Sequence, residues 1–293
     1  MIHVHRASSR ERGLMQIEAL FRYPVKSMLG EEVDATRVGE QGVAGDRAYA
    51  LVDEETGKIA SAKNPRRWSA LFACRAEYLA EPQTGTQPAP ARITLADGET
   101  VDTDDPRVHE VLSRALGRPL RLENRAPDGA VYESYTPRLE GVADPGGDTV
   151  HDSPVGIVAP GTFFDAAPLH VVASATLAHL ARLAPDSAFP AARFRPNIVV
   201  AVAAETGFVE NEWVGHSLAL GPEVSASVFL AAPRCVMTTL AQTDLPRDLG
   251  VLQTIARHNR FDIPGLGPSS CVGVYAVTAT GGFVRRGDAV AIT

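Results

Sequence analysis

From Gln16 onward the chain alternates hydrophobic and polar residues in short runs, QIEALFRYPV, EVDATRV and RAYALVD, broken by Gly39, Gly42 and Gly45. Successive side chains of an extended chain point to opposite faces, so such runs between turn residues predict the strands of a sheet or barrel. RAYALVD and KIASA, joined by Glu54-Glu55-Thr56-Gly57, predict a hairpin. The period changes after Asp104-Asp105-Pro106, where Val108, Val111, Leu112, Ala115 and Leu116 share one helical face and Gly117 follows as a stop. Residues 126–162 are rich in Gly, Pro, Asp and Ser and show little periodicity, which predicts a linker or a long surface loop.

The second half opens on an apolar strand, PLHVVAS, at 168–174. ATLAHLARLA then places Leu177, Leu180, Ala181 and Ala184 on one helical face, with Ser174 or Thr176 expected as the N-cap. Further strands are predicted at RPNIVVAV (195–202), SLAL (217–220) and VSASVFLA (224–231), a helix over 247–258, and closing strands at VGVYAVT and DAVAIT. The helices interrupt this order without regular βαβ alternation, which excludes a doubly wound sheet. The expected fold is mainly β with a few helices (α+β): a barrel over 126–293 and a smaller N-terminal β-rich domain over 15–125. Residues 1–14 precede the first periodic run and are expected to be a disordered leader or the result of an early start codon.

With 293 residues, 45% of them hydrophobic, the chain can bury a sizeable core. A net charge of -7 argues against a nucleic-acid binder, because a phosphate backbone is held by clustered positive charge. Three cysteines, at 74, 235 and 271, are too few and scattered for a disulfide framework or a zinc site, so a reducing, cytoplasmic setting is expected. The N-terminus lacks the apolar core of a signal peptide, and no apolar run is long enough for a membrane span. Of 28 basic residues only Lys26, Lys58 and Lys63 are lysines, which draws attention to each.

Cys235 follows a strand and a proline, at a position where a turn exposes a side chain. As a thiolate favoured by its neighbour Arg234 it could ligate a metal or attack an electrophile; as a thiol it could simply pack. Lys26, Ser27, Arg47, Arg193, Arg195 and Asn197 lie at predicted strand ends, either converging on a phosphate or standing apart as surface charges. Ser174 and Thr176 open a helix whose N-terminus favours anions, although capping alone would explain both hydroxyls. Signatures of P-loops, Rossmann folds, GxSxG hydrolases, HExxH metalloproteases and EF-hands are absent.

YPVKS, GDRAYALVD, FRPNIVV, PRCVMTT and GGFVRRGDAV, in that order, resemble the MOSC-domain family with its N-terminal β-barrel partner, the arrangement of the mitochondrial amidoxime-reducing component and its bacterial relatives. The resemblance implies a molybdenum cofactor, molybdopterin-bound, with Cys235 as catalytic residue and metal ligand. It implies cofactor contacts from Lys26, Ser27, Arg47, Arg195, Asn197 and Arg234, and more loosely from Ser174 and Thr176. It further implies an oxo-transfer oxidoreductase acting on a small N-hydroxylated or related N–O or S–O substrate, with electrons from a separate flavin or iron–sulfur protein. Substrate choice is expected in the loops 125–165 and 239–247. The alternatives are a cofactor carrier, or sulfur transfer through a Cys235 persulfide, or a nucleophilic Cys235 paired with a base such as His258.

Overall fold

The computed structural model describes residues 15–85, 87–142, 146–203, 207–242 and 244–293, so the expectation for residues 1–14 lies outside it. The chain is mainly strand, and seven strands close a barrel. In chain order the staves are β1 (Met15–Arg22), β2 (Leu169–Ala173), β3 (Ile198–Val202), β4 (Ser217–Leu220), β5 (Val224–Pro233), β6 (Gly267–Thr280) and β7 (Ala289–Ile292). Around the barrel they run β2-β3-β1-β7-β4-β5-β6, and β6 pairs back onto β2. Every pairing is antiparallel except β2 with β3.

Alternation fills the interior: Ile17, Leu20, Val171, Ala173, Ile198, Val200, Leu218, Leu220, Val274 and Ala276 form one buried cluster, with Trp213 among them. Val172 instead packs with Leu180, Val251, Ile255 and Val272, residues of α2 (Ser174–Leu183), α3 (Gly250–His258) and β6. Strand β2 is thus buried on both faces, which is why its sequence reads as a continuous apolar run. The parallel neighbours β2 and β3 are joined across α2, as parallel pairs require a crossover.

A second core, including Val25, Leu51, Trp68, Leu71, Ile93, Leu112 and Leu120, belongs to the first half. The helix α1 (Val108–Leu116) lies here and ends at Gly117 in the left-handed region, φ 68°, as the pattern predicts. Residues 53–58 turn the chain back on itself, Asp53 N–H bonding Lys58 O at 2.9 Å, but the ladder partner of Ala50–Asp53 is Leu120–Glu123. The expected hairpin forms over a short length, with Val52 bridged antiparallel to Ile59 and the Ala60 N–H bonding Leu51 O at 2.8 Å, beside that longer-range pairing. Strand β1, at the start of the segment expected as a separate domain, is a stave of the barrel, so the spatial boundary does not follow the boundary in sequence.

Two expectations are corrected. Residues 126–162 contain a six-residue ladder between Val131–Thr136 and Thr149–Pro154 rather than only loop. Of this ribbon only Tyr132 is buried, so it lacks the hydrophobic alternation that marks a half-buried strand. The N-cap of α2 is Ala173, and neither Ser174 nor Thr176 caps it through a side chain. Thr176 is buried instead against Glu210: its hydroxyl bonds Glu210 Oε2 and lies 3.1 Å from Gly207 O, while Glu210 Oε1 accepts the Gly273 N–H at 2.9 Å.

Glu210 is fully buried, and burial pushes its pKa up to about 7. A neutral Glu210 donating to Thr176, which donates to Gly207 O, satisfies every group in this chain of bonds. Between pH 4.5 and 7 the folded protein keeps a proton that the unfolded chain has released. Stability from this group is therefore complete below pH 4.5 and lost as pH rises to 7, by about 3 kcal/mol at most. Glu210→Gln is expected to keep both bonds and flatten that slope, measured by urea unfolding across this pH range.

Candidate functional site at the lobe junction

Strand β5 ends at Pro233, which pairs with Cys271, and Arg234 N–H bonds Ser270 O at 2.7 Å before the chain leaves the barrel. Cys235 then starts a short 3-10 turn, Val236–Thr239, and its carbonyl accepts the Thr238 hydroxyl at 3.0 Å. Arg193, 1% exposed, holds the far side of this turn through four carbonyls, those of Ala188, Thr238, Leu240 and Pro246. The half-buried thiol is thus carried on backbone fixed from both sides. Cys74 and Cys271 are buried in the cores.

The thiol lines a cavity of about 330 Å³ together with Lys26, Ser27, Arg47, Arg195, Asn197 and Arg234. These are all the expected site residues except two, for Ser174 and Thr176 do not line it. Thr176 is spent on Glu210, as described, and a helix start next to an apolar strand need not face a ligand. His258 is exposed on α3 and does not line the cavity either, so it is not a base for Cys235; the cavity's histidines are His151 and His170. His170 is bonded through Nε2 to Val272 O at 3.1 Å, and burial beside Arg234 holds its pKa well below the usual range.

Sequence reading missed Lys63, Tyr132 and Asp165 as site residues, although the scarcity of lysine had marked Lys63. Lys26 and Lys63 both pair with Asp165, the latter at 3.1 Å, and Lys63 donates to Tyr132 O–H at 2.9 Å. Both ammonium groups lie over the Tyr132 ring, 4.9 and 4.7 Å from its centre. Burial lowers the Lys26 pKa to about 8 despite Asp165, while the two lysines hold Asp165 well below the usual carboxylate range. Nothing in residues 126–165 marks Asp165 by pattern, because its partners come from distant strand ends.

Arg47 pairs with Asp46 and donates to Arg195 O at 3.3 Å; Arg195 donates to Met28 O at 2.6 Å. The Tyr23 ring lies between the two guanidiniums, 4.8 Å from Arg47 and 4.1 Å from Arg195. Asn197 accepts the His170 N–H at 3.1 Å, and Ser27 accepts the Ala62 N–H at 3.1 Å. Arg234 donates to Phe194 O at 3.0 Å and Tyr275 O–H at 2.7 Å, so its charge is directed into the wall. Ser27, Arg47 and Arg195 have φ of 65°, 48° and 53°, and only Asp148 joins them among described non-glycine residues in the left-handed region. Strain of that kind persists where the surroundings enforce it and gathers at binding sites.

Six basic side chains and one carboxylate line this cavity, in a chain of net charge -7. That imbalance suits an anionic ligand. A larger neighbouring cavity of about 650 Å³ shares Arg47 and Phe164 with it, but has two basic side chains against two carboxylates and no thiol. The chemistry thus concentrates in the smaller one. Among the described residues no cluster of three or more His, Cys, Asp or Glu could hold a metal, so Cys235 could supply one ligand only to a metal that brings the others.

Residues 156–291 match the MOSC domain, and residues 14–111 match the MOSC N-terminal beta barrel domain. The chain is a MOSC-domain protein with an N-terminal MOSC barrel domain. MOSC domains are associated with molybdenum cofactor sulfurases and binding proteins. No curated protein matches the chain significantly. Among solved structures it is similar to the YUAD protein from Bacillus subtilis, at 10% identity over 95% of each chain with a TM-score of 0.45. It is also similar to YiiM from Geobacillus stearothermophilus, at 15% identity over 43% of this chain and 54% of the other, with a TM-score of 0.29. No helix among the described residues of this MOSC protein is long and apolar enough to cross a membrane.

Asp165→Ala leaves Lys26 and Lys63 without their shared carboxylate. The expected cost is about 2 kcal/mol, less than for a fully buried pair because the Asp165 side chain is 31% exposed. Thermal unfolding should show this loss, and millimolar inorganic phosphate should recover part of it by replacing the missing anion.

Proposed function

We propose that this chain is a molybdenum-cofactor oxidoreductase that reduces N-hydroxylated or related N–O or S–O substrates. The observation that carries the reading is the thiol of Cys235 and a strong excess of positive charge in one cavity. The donor set fits a molybdopterin cofactor on both counts: a soft thiolate suits molybdenum, and forked or ammonium donors suit the terminal phosphate. Its volume of about 330 Å³ is that of a small-molecule site.

In this reading Cys235 Sγ ligates the metal, and Lys26, Ser27, Arg47, Arg195 and Asn197 hold the phosphate and pterin. When bound, the cofactor supplies the two-electron redox chemistry. Arg193 and Arg234, engaged with backbone carbonyls, keep the Cys235 segment in place so that the thiolate needs no rearrangement to bind. Reduction of an N–O group also consumes two protons and releases water. Lys63 and Tyr132 hold protons at Nζ and the phenol oxygen beside Cys235. The electrons come from a separate flavin or iron–sulfur protein.

Protein produced in a host that makes the cofactor should contain near-stoichiometric molybdenum, and Cys235→Ala should lose it. Turnover of benzamidoxime with a reduced viologen should accompany the metal. Equal metal in Cys235→Ala overturns the ligand assignment, metal without turnover points to a carrier, and a mass increase of about 32 Da on Cys235 without metal points to sulfur transfer.

A further inference from the structure

The cavity that holds Cys235 changes character from floor to mouth. Lys26, Ser27, Arg195 and Asn197 on its floor are at most 7% exposed. At its mouth stand Ile157 and Leu266, 64% and 65% exposed, each lining the same cavity. No other large hydrophobic side chain among the described residues is more than 48% exposed. The two most exposed aliphatic groups thus meet at one opening although they come from distant parts of the sequence. Single exposed apolar residues are ordinary on a protein surface; two converging on a cavity mouth mark a site for an apolar group.

Both are presented by constrained turns. Leu266 lies between Gly265 and Gly267, with φ of 81° and 67°, and its N–H closes a turn on Ile263 O at 2.9 Å. Ile157 follows Gly156, φ 67°, whose N–H bonds Phe164 O at 2.7 Å; a Cβ on Gly156 would lie 2.9 Å from Ala159 O and 3.0 Å from Thr162 O, so glycine is required there. His151, Ser153 and Pro154 from the neighbouring ribbon complete the mouth with polar and small groups.

We propose that Ile157 and Leu266 form an apolar clamp that binds the hydrocarbon body of the substrate, aryl or branched alkyl, while its small polar end points inward to Cys235. They are specificity-determining residues for a ligand that is polar at one end. The polar end being an N–O or S–O group rests on the function proposed above; the clamp itself rests on the position and exposure of the two side chains. The cavity lining favours a small molecule over a protein partner, because both side chains line the same open cavity as its buried, charged floor.

The test uses cofactor-loaded protein and the variants Leu266→Ser, Ile157→Ser and the double variant, whose exposed positions should leave the thermal midpoint and molybdenum content unchanged. Calorimetric titration with the neutral amides benzamide and acetamide, and KM and kcat for benzamidoxime and acetamidoxime, are measured side by side. The clamp predicts that each single variant weakens benzamide binding and raises the benzamidoxime KM about tenfold, with kcat, acetamide binding and the acetamidoxime KM unaffected. Equal shifts for both ligand sizes, or none, overturn it. A change only in the KM for the reduced electron-donor protein also overturns it and assigns the patch to a partner. If no N–O compound is turned over but benzamide binding still depends on Ile157 and Leu266, the clamp stands and the oxidoreductase reading falls.

Discussion

Two carboxylates make it possible to gather three of the cavity's cations in one place. Lys26 and Lys63 share Asp165, and Arg47 is paired with Asp46, which also accepts the Tyr23 N–H at 2.9 Å. Without them the desolvation of like charges would drive the segments apart or strip protons from the lysines. The compensation is incomplete by count, and the residual positive charge attracts an anion. The same surroundings enforce the strained backbone: Arg47 and Arg195 occupy the left-handed region while packed on Tyr23, and Ser27 does so while its hydroxyl accepts the Ala62 N–H.

The barrel supplies the fixed frame for this arrangement. Closure of β6 onto β2 sets where β5 runs out, and the end of β5 sets where Cys235 stands. Arg193 then uses four carbonyls to prevent the following turn from moving. Because β1 is a barrel stave and Lys26 and Ser27 follow a few residues after its end, these two groups of the first half are anchored to the same barrel that carries the thiol.

Glu210 is a second buried carboxylate with a different task. It binds α2, the turn at Val209–Trp213 and β6 together through Thr176 and the Gly273 N–H. Gly273 itself has no room for a side chain, since a Cβ would lie 2.4 Å from His170 Nε2. Thr176 resembles a site residue in sequence and is a structural one in space.

Local pattern determined much of this protein. Alternation along QIEALFR, NIVVAV and VSASVFLA specified strands, the period of 3.6 around Val108 specified a helix, and motif order placed Cys235 with Lys26, Ser27, Arg47, Arg195 and Asn197. Those signals are legible because each depends on side chains a few residues apart, or on a whole motif. Tertiary structure alone decided the rest. That β1 joins the barrel depends on pairing with strands far along the chain, and the ribbon at Val131–Thr136 and Thr149–Pro154 is held by ladder bonds and by its one buried side chain, Tyr132, packed on Val52, Ile59 and Phe163. Asp165 enters the site because two lysines from elsewhere need a counter-charge, Thr176 leaves it because Glu210 needs a partner, and Leu266 and Ile157 share one opening only once their turns are folded. Electrostatic compensation and burial act between residues that are neighbours in space, and a linear pattern carries no record of those distances.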